Sequence, residues 1–426
     1  MRRNPSRSLR FEGLEQRSML AGDVQISVAQ NTLQISGDAE ANHVIIEGGN
    51  GGSLTITGAD DTELFFAGVS QGSQIVIAGG FNSLAVDLNA GNDTLEINTF
   101  FVFVNVSIAM DEGADVVRMG DYQTYVSNPT GVISKPFQLT MTGNLQVDTG
   151  TGADLALIVS VSAGNWDVDL GDSDGTNNNN DGRPENNFFV TLDDQAYIYH
   201  ARSSDVNGDG NVDIVNVDVN GGTGDDLVNI NYLTTTGTLS VSGVAGNDVL
   251  SANGCVFHRQ VMLAGGVGAD TIAVDFSRHD GQGPTATMNL DAGSDSDFIL
   301  YARCLMQGAA VSIGTGSGFD RVVIGRYYAN AAGNLATGGN VVGSVTLNTD
   351  SESDVADIRG NDMQEFFGNL GAGGDNVDFL NNIVNLRGSL DGGPDTDTLT
   401  FSGNVVTGFG STGFEAQDSV FEADFA

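Results

Sequence analysis

The chain has 426 residues, 40% of them hydrophobic and 17% charged, with a formal net charge of −39 and 59 glycines. That apolar content is too high for a disordered acidic chain. Five of the 16 basic residues fall in the first 17 positions, and past residue 20 only 11 basic residues face 53 acidic ones. Such a surface repels nucleic acid and anionic lipid and attracts divalent cations.

In chain order, the first 22 residues are a basic tail with Arg2, Arg3, Arg7, Arg10 and Arg17, and they lack the apolar core of an ordinary secretory signal. The block FEGLEQRSMLAG at 11–22 resembles the short leader, with a core like LEPRxLL, at the start of many surface or exported proteins of planctomycete bacteria. Gln16 and Met19 stand where that pattern has Pro and Leu. The resemblance implies an exported, extracellular or cell-surface protein, with residues 1–22 outside the folded domain.

Residues 23–426 read as a single elongated domain. Apolar pairs recur two and four residues after an Asp or Asn anchor (Val228/Ile230 after Asp226, Ile272/Val274 after Asp270), and others nine and seven residues before it (Leu239/Val241, Val261/Leu263). Each pair alternates with period two and marks a short strand with one buried face. The anchors are Asn42, Ser73, Asp93, Asp115, Asp154, Asn186, Asp226, Asp248, Asp270, Asp297, Asp320, Asp354, Asp375 and Asp397, with 22-residue steps at Asp226, Asp248 and Asp270. A unit of strand, glycine corner, strand and return cannot close a core alone, whereas stacked copies bury a continuous one. The expectation is an all-β, right-handed β-helix-like parallel β-solenoid of about 14 rungs, roughly 65 Å long at ~4.8 Å per rung. Loops are expected near 121–137, 171–186 and 203–216. The most apolar run, FFVFVNVSIAM at 100–110, alternates as a core strand, and no stretch reaches the ~20 apolar residues of a membrane span.

The corners GGTGDDLVN (221–229) and GGVGADTIA (265–273) match the pattern GGxGxDxUx, with degenerate copies at 148–156, 291–299 and 391–399. They resemble RTX (haemolysin-type) calcium-binding repeats, which implies Ca²⁺ at Asp154, Asp226, Asp248, Asp270, Asp297, Asp320, Asp375 and Asp397. Those repeats have two corners per rung where this chain has one per ~22 residues, so sites on both edges are not implied. Electrostatics points to cations independently. Carboxylates stacked ~4.8 Å apart repel by ~3.5 kcal/mol per pair at an effective dielectric of 20, and the chain has a single lysine, Lys135. A metal-free ladder, with each Asp accepting backbone N–H bonds, is the alternative.

A second cation signal is DVNGDGNVDIVN at 205–216. Asp205, Asn207, Asp209, Asn211 and Asp213 fall at positions 1, 3, 5, 7 and 9 of an EF-hand loop, with Gly210 at the sharp turn. The stretch resembles the loop of dockerin and EF-hand modules, but Asn216 stands in place of the closing Glu and no helices flank it, so weaker binding is implied. The acidic stretch at 171–186, with Asp172, Asp174 and Asp181, is a poorer match.

Cys255 and Cys304 each lie seven residues past an anchor. Two rungs apart they would be ~9.6 Å from each other, too far for a disulfide. Catalytic signals are weak: His43, His200, His258 and His279 are isolated, and there is no HExxH or phosphate-binding GKS/GKT loop. A single tryptophan, Trp166, argues against a long aromatic sugar platform. The function expected is a non-enzymatic extracellular structural or adhesive protein, stabilised by calcium, with a cell-envelope or matrix polysaccharide or protein as partner. Calcium would leave the rod loose in the cytosol and rigid after export. The alternative is a β-helical polysaccharide lyase or hydrolase, for which Arg303, Arg321 and Arg326 are the nearest cationic candidates.

Overall fold

A computed structural model describes residues 22–48, 52–99, 102–121, 139–171, 195–199, 202–203, 216–280, 286–325 and 339–419. Among the described residues there is no helix, and therefore none long and apolar enough to cross a membrane. The strands form two long, predominantly parallel sheets, of 25 and 16 strands, in a β-helix-like arrangement.

The repeat around Asp248 shows how the sequence builds this arrangement. Leu239–Ala245 is a strand of the larger sheet, the chain turns at Gly246–Asp248, and Val249–Asn253 enters the smaller sheet. A second turn leads to the two-residue strand Val256–Phe257, again in the larger sheet, before Val261–Val267 begins the next repeat. Each strand pairs in parallel with its counterpart one repeat later. Leu239 lies on Val261, Val261 on Met288 and Met288 on Val311. In the smaller sheet Val249 lies on Thr271, Thr271 on Phe298 and Phe298 on Arg321.

This register puts every inward side chain against its own kind. Leu239, Val241, Leu250 and Ala252 are buried, as are Val261, Leu263, Ile272 and Val274, within one continuous apolar core. The strand on the return was not anticipated from the sequence. Its signal is an apolar residue nine positions after the anchor, at Phe257, Met306, Met363 and Val384, all buried.

The N-terminal end departs from the expected repeat. Ser73 does not anchor a parallel strand. Gln74–Ala78 pairs antiparallel with Ser53–Gly58, which pairs antiparallel with His43–Gly48. Asp23–Ala29 with Thr32–Ser36, and Glu63–Phe66 with Val69–Gly72, are also antiparallel hairpins. The tight turns decide this locally. Gln30 and Asn31 both have positive φ, as do Ala67 and Gly68, the geometry that folds adjacent strands back on each other. The hairpins occupy what would otherwise be the open edge of a parallel stack.

Asn186 lies outside the described residues, and the strand that stacks between Leu155–Val159 and Leu227–Asn231 is Gln195–Tyr199. The repeat position therefore falls immediately before residue 195, displaced from Asn186. At the C-terminal end Phe414–Ser419 adds a parallel strand that no anchor announced. The predicted loops at 121–137, 171–186 and 203–216 lie almost wholly outside the described residues.

Candidate functional site: the aspartate corner

The first turn of each repeat brings the anchor aspartates into one column. Asp226 N–H donates to Asp248 Oδ1 at 2.9 Å, Asp248 N–H to Asp270 at 2.7 Å and Asp270 N–H to Asp297 at 2.7 Å. The column continues from Asp297 through Asp320, Asp354 and Asp375 to Asp397 at 2.8–2.9 Å. Before residue 216 it runs from Asn42 to Asp93, Asp115 and Asp154. Each carboxyl thus satisfies a corner N–H that the strand ladders leave over. The anchors are buried, Asp226 and Asp397 completely.

The second carboxyl oxygen faces inward. Oδ2 of Asp93, Asp115, Asp248, Asp270, Asp297 and Asp375 is buried with no hydrogen-bond partner. Where a glycine stands five residues before the anchor, Oδ2 lies against it: a Cβ on Gly243 would come within 2.0 Å of Asp248 Oδ2, and one on Gly265 within 2.3 Å of Asp270 Oδ2. The next glycine of the motif is explained by backbone stacking. Gly246 has φ of 135°, and a Cβ there would fall 1.6 Å from the Gly224 carbonyl oxygen.

Asn42, the first member of the column, shows what this inward place requires. Its Nδ2 donates to the Glu40 carbonyl at 2.7 Å, so the place is lined by backbone acceptors. In the other repeats a carboxylate oxygen sits there instead, and a proton on it would convert a repulsive contact into a donor. Burial is accordingly the main influence on these groups. It pushes Asp93, Asp154, Asp248, Asp297 and Asp354 up to about 7 and Asp115 up to about 8. Asp270 and Asp375 rise to about 6, and Asp320 is also raised. The N–H bond from the preceding repeat partly offsets the rise.

Two further rows of side chains run along the turns. Residues just before the anchors carry a row in the opposite sense: Asn247 N–H donates to Asp225 Oδ1 at 2.7 Å and Ala269 N–H to Asn247 Oδ1 at 2.9 Å. At the second turn Cys304 N–H donates to Asn340, and Asn361 and Asn382 donate onward to Asn382 and Asn404. This asparagine row was missed from the sequence, although its seven-residue offset from Asp354, Asp375 and Asp397 is visible there. Cys255 and Cys304 share that offset; both are free and buried, and burial pushes each thiol up to about 12.

No protein-family model and no curated protein matches this chain.

Asp154, Asp226, Asp248, Asp270, Asp297, Asp320, Asp375 and Asp397 all stand in the column, where Oδ1 of each but Asp226 is seen to accept an N–H, and no cluster of three or more Asp, Glu, His or Cys is placed to hold a metal among the described residues. Better exposed carboxylates line the same edge, where an open cleft is bordered by Asp38, Asp111, Glu112 and Asp148. Partial burial, followed by the charge of Asp169, raises Asp148. Asp205, Asn207, Asp209, Asn211 and Asp213 lie outside the described residues. Of the cationic candidates, Arg303 is paired with Asp275, Arg321 lies over the Phe298 ring, and Arg326 is outside the described residues.

Proposed function

We propose that this protein is a non-enzymatic structural and adhesive rod, exported to the cell surface or extracellular space. In this reading the stacked strands close into a right-handed parallel β-solenoid of about 14 turns. One observation carries it: the apolar core and the aspartate column both continue through repeat after repeat, so each unit is stabilised chiefly by its neighbours. A molecule built this way gains length and surface with each added unit, which suits a spacer or an adhesin.

Calcium is the cation proposed for the 205–213 loop, on the spacing of its oxygens, and for the exposed carboxylates beside the corners. The buried column takes its positive charge as protons. Export is proposed on the leader resemblance at 11–22. Thermal melting at pH 8 in excess Ca²⁺ and in EGTA tests the metal: a higher melting temperature in Ca²⁺ is expected, and equal temperatures would overturn calcium stabilisation. Small-angle scattering tests the rod, which a compact particle would refute. Incubation with oligogalacturonides should release no cleavage product.

A further inference from the structure

In most of the described repeats the second turn holds one residue in the left-handed region. In several repeats that residue suits it: Gly254, Gly360, Asn381 and Gly403 have φ of 66°, 67°, 56° and 68°. Tyr232, Phe276 and Arg303 occupy the same position with φ of 55°, 50° and 54°. Bulky side chains carry a steric penalty there. Burial does not compensate it, because Tyr232 is 44% and Phe276 58% exposed. Strain at a solvent-facing side chain points toward a function.

These residues stand in sequence along one edge. Tyr232 N–H donates to the Asn253 carbonyl, Gly254 N–H to Asp275 and Phe276 N–H to Ala302, so Tyr232, Gly254, Phe276 and Arg303 occupy four successive repeats. A Cβ on Gly254 would come within 2.8 Å of the Tyr232 ring, so that ring leans over the glycine. Arg303 covers one face of Phe276, 3.6 Å from the ring centroid, and its Nε is held by Asp275 at 2.7 Å. The two aromatic residues are two strand spacings apart, ~9.6 Å along the stack. On the adjoining strands Asn253 pairs in register with Asp275, adding polar groups at the pitch of a single spacing.

We propose that this edge binds a neutral, β-linked polysaccharide lying along the stack. Sugar faces would rest on Tyr232 and Phe276, with hydroxyls reaching Asn253, Asp275 and Arg303. Exposed rings beside a few fixed polar groups suit a ligand that has an apolar face and a polar rim. An extended β-linked pyranose chain advances by about one strand spacing per sugar, so successive sugars keep step with successive repeats along this edge. The charge of −39 disfavours polyuronates. The inference rests on the adhesive reading above and names its class of partner.

Affinity electrophoresis of the full chain through gels containing hydroxyethylcellulose, glycol chitin or laminarin, with polygalacturonate as the charged control, tests it. The wild type should be retarded by at least one neutral polymer and not by polygalacturonate. Tyr232→Gly with Phe276→Gly should weaken that retardation by about tenfold or more. Glycine tolerates the left-handed conformation, so the melting temperature should hold or rise. Migration unaffected by every neutral polymer, or equal retardation of wild type and double variant, would overturn the proposal. So would a lowered melting temperature with unchanged retardation, which assigns the rings to packing. A wild type that ignores all glycans yet keeps its rod shape and calcium-dependent melting refutes this inference alone.

Discussion

Asp248→Asn is the most informative single change. It removes a buried charge while keeping the oxygen that accepts the Asp226 N–H at 2.9 Å. The new amide falls where Asn42 places its own, against backbone carbonyls. Burial raises Asp248 from the ordinary carboxyl value to about 7. A folded-state value raised in this way contributes stability that is fully present below about pH 4 and is lost as pH rises through 7. A rise of about three units corresponds to a ceiling of ~4 kcal/mol at pH 8, and ~1.5 kcal/mol at pH 5. The variant, which has no charge to bury, should therefore be more stable than the wild type by up to those amounts, with the advantage growing from pH 5 to pH 8. Urea unfolding followed by far-UV circular dichroism at the two pH values, in EGTA, measures it. A variant less stable than the wild type at pH 8, or a difference that does not change with pH, would refute the protonated column.

Three other expectations follow from the same packing. With several aspartates raised to between about 6 and 8, the wild-type protein should lose stability as pH rises through that window; a melting temperature that climbs from pH 5 to pH 8 in EGTA would contradict it. Gly265→Ala should cost about 1–3 kcal/mol by overpacking, because its Cβ would lie 2.3 Å from Asp270 Oδ2 and 2.5 Å from the Ala292 carbonyl oxygen. Gly410→Ala, with nothing within 4 Å, is the matched control in denaturant unfolding. Cys255 and Cys304 should resist a thiol reagent in the native protein and react once urea unfolds it, since burial holds both thiols up at about 12. Rapid labelling of either without denaturant would show that its rung is open.

The sequence by itself determined the repeat. Alternating pairs such as Leu239/Val241 and Ile272/Val274 are buried as their period requires, because a strand with one apolar face has a single way to hide it. It also determined that the two cysteines stay apart, since an equal offset from anchors two repeats apart fixes their separation. Ser73 misled because the positive-φ turns nearby favour antiparallel hairpins, a choice of strand partner that an apolar pattern does not encode. The short strand ending at Phe257 and the asparagine row at Asn361 and Asn382 are single residues per repeat, without the alternating partner that marks a strand.

The direction of the corner carboxyl oxygens was decided only by the tertiary structure. Gly-Asp spacing is compatible with either a cation or a hydrogen-bonded column. What stacking adds is where each oxygen points: one toward the N–H of the neighbouring repeat, the other inward against a glycine. That direction depends on the register between repeats and on burial, and both arise only when one coil of chain lies on another.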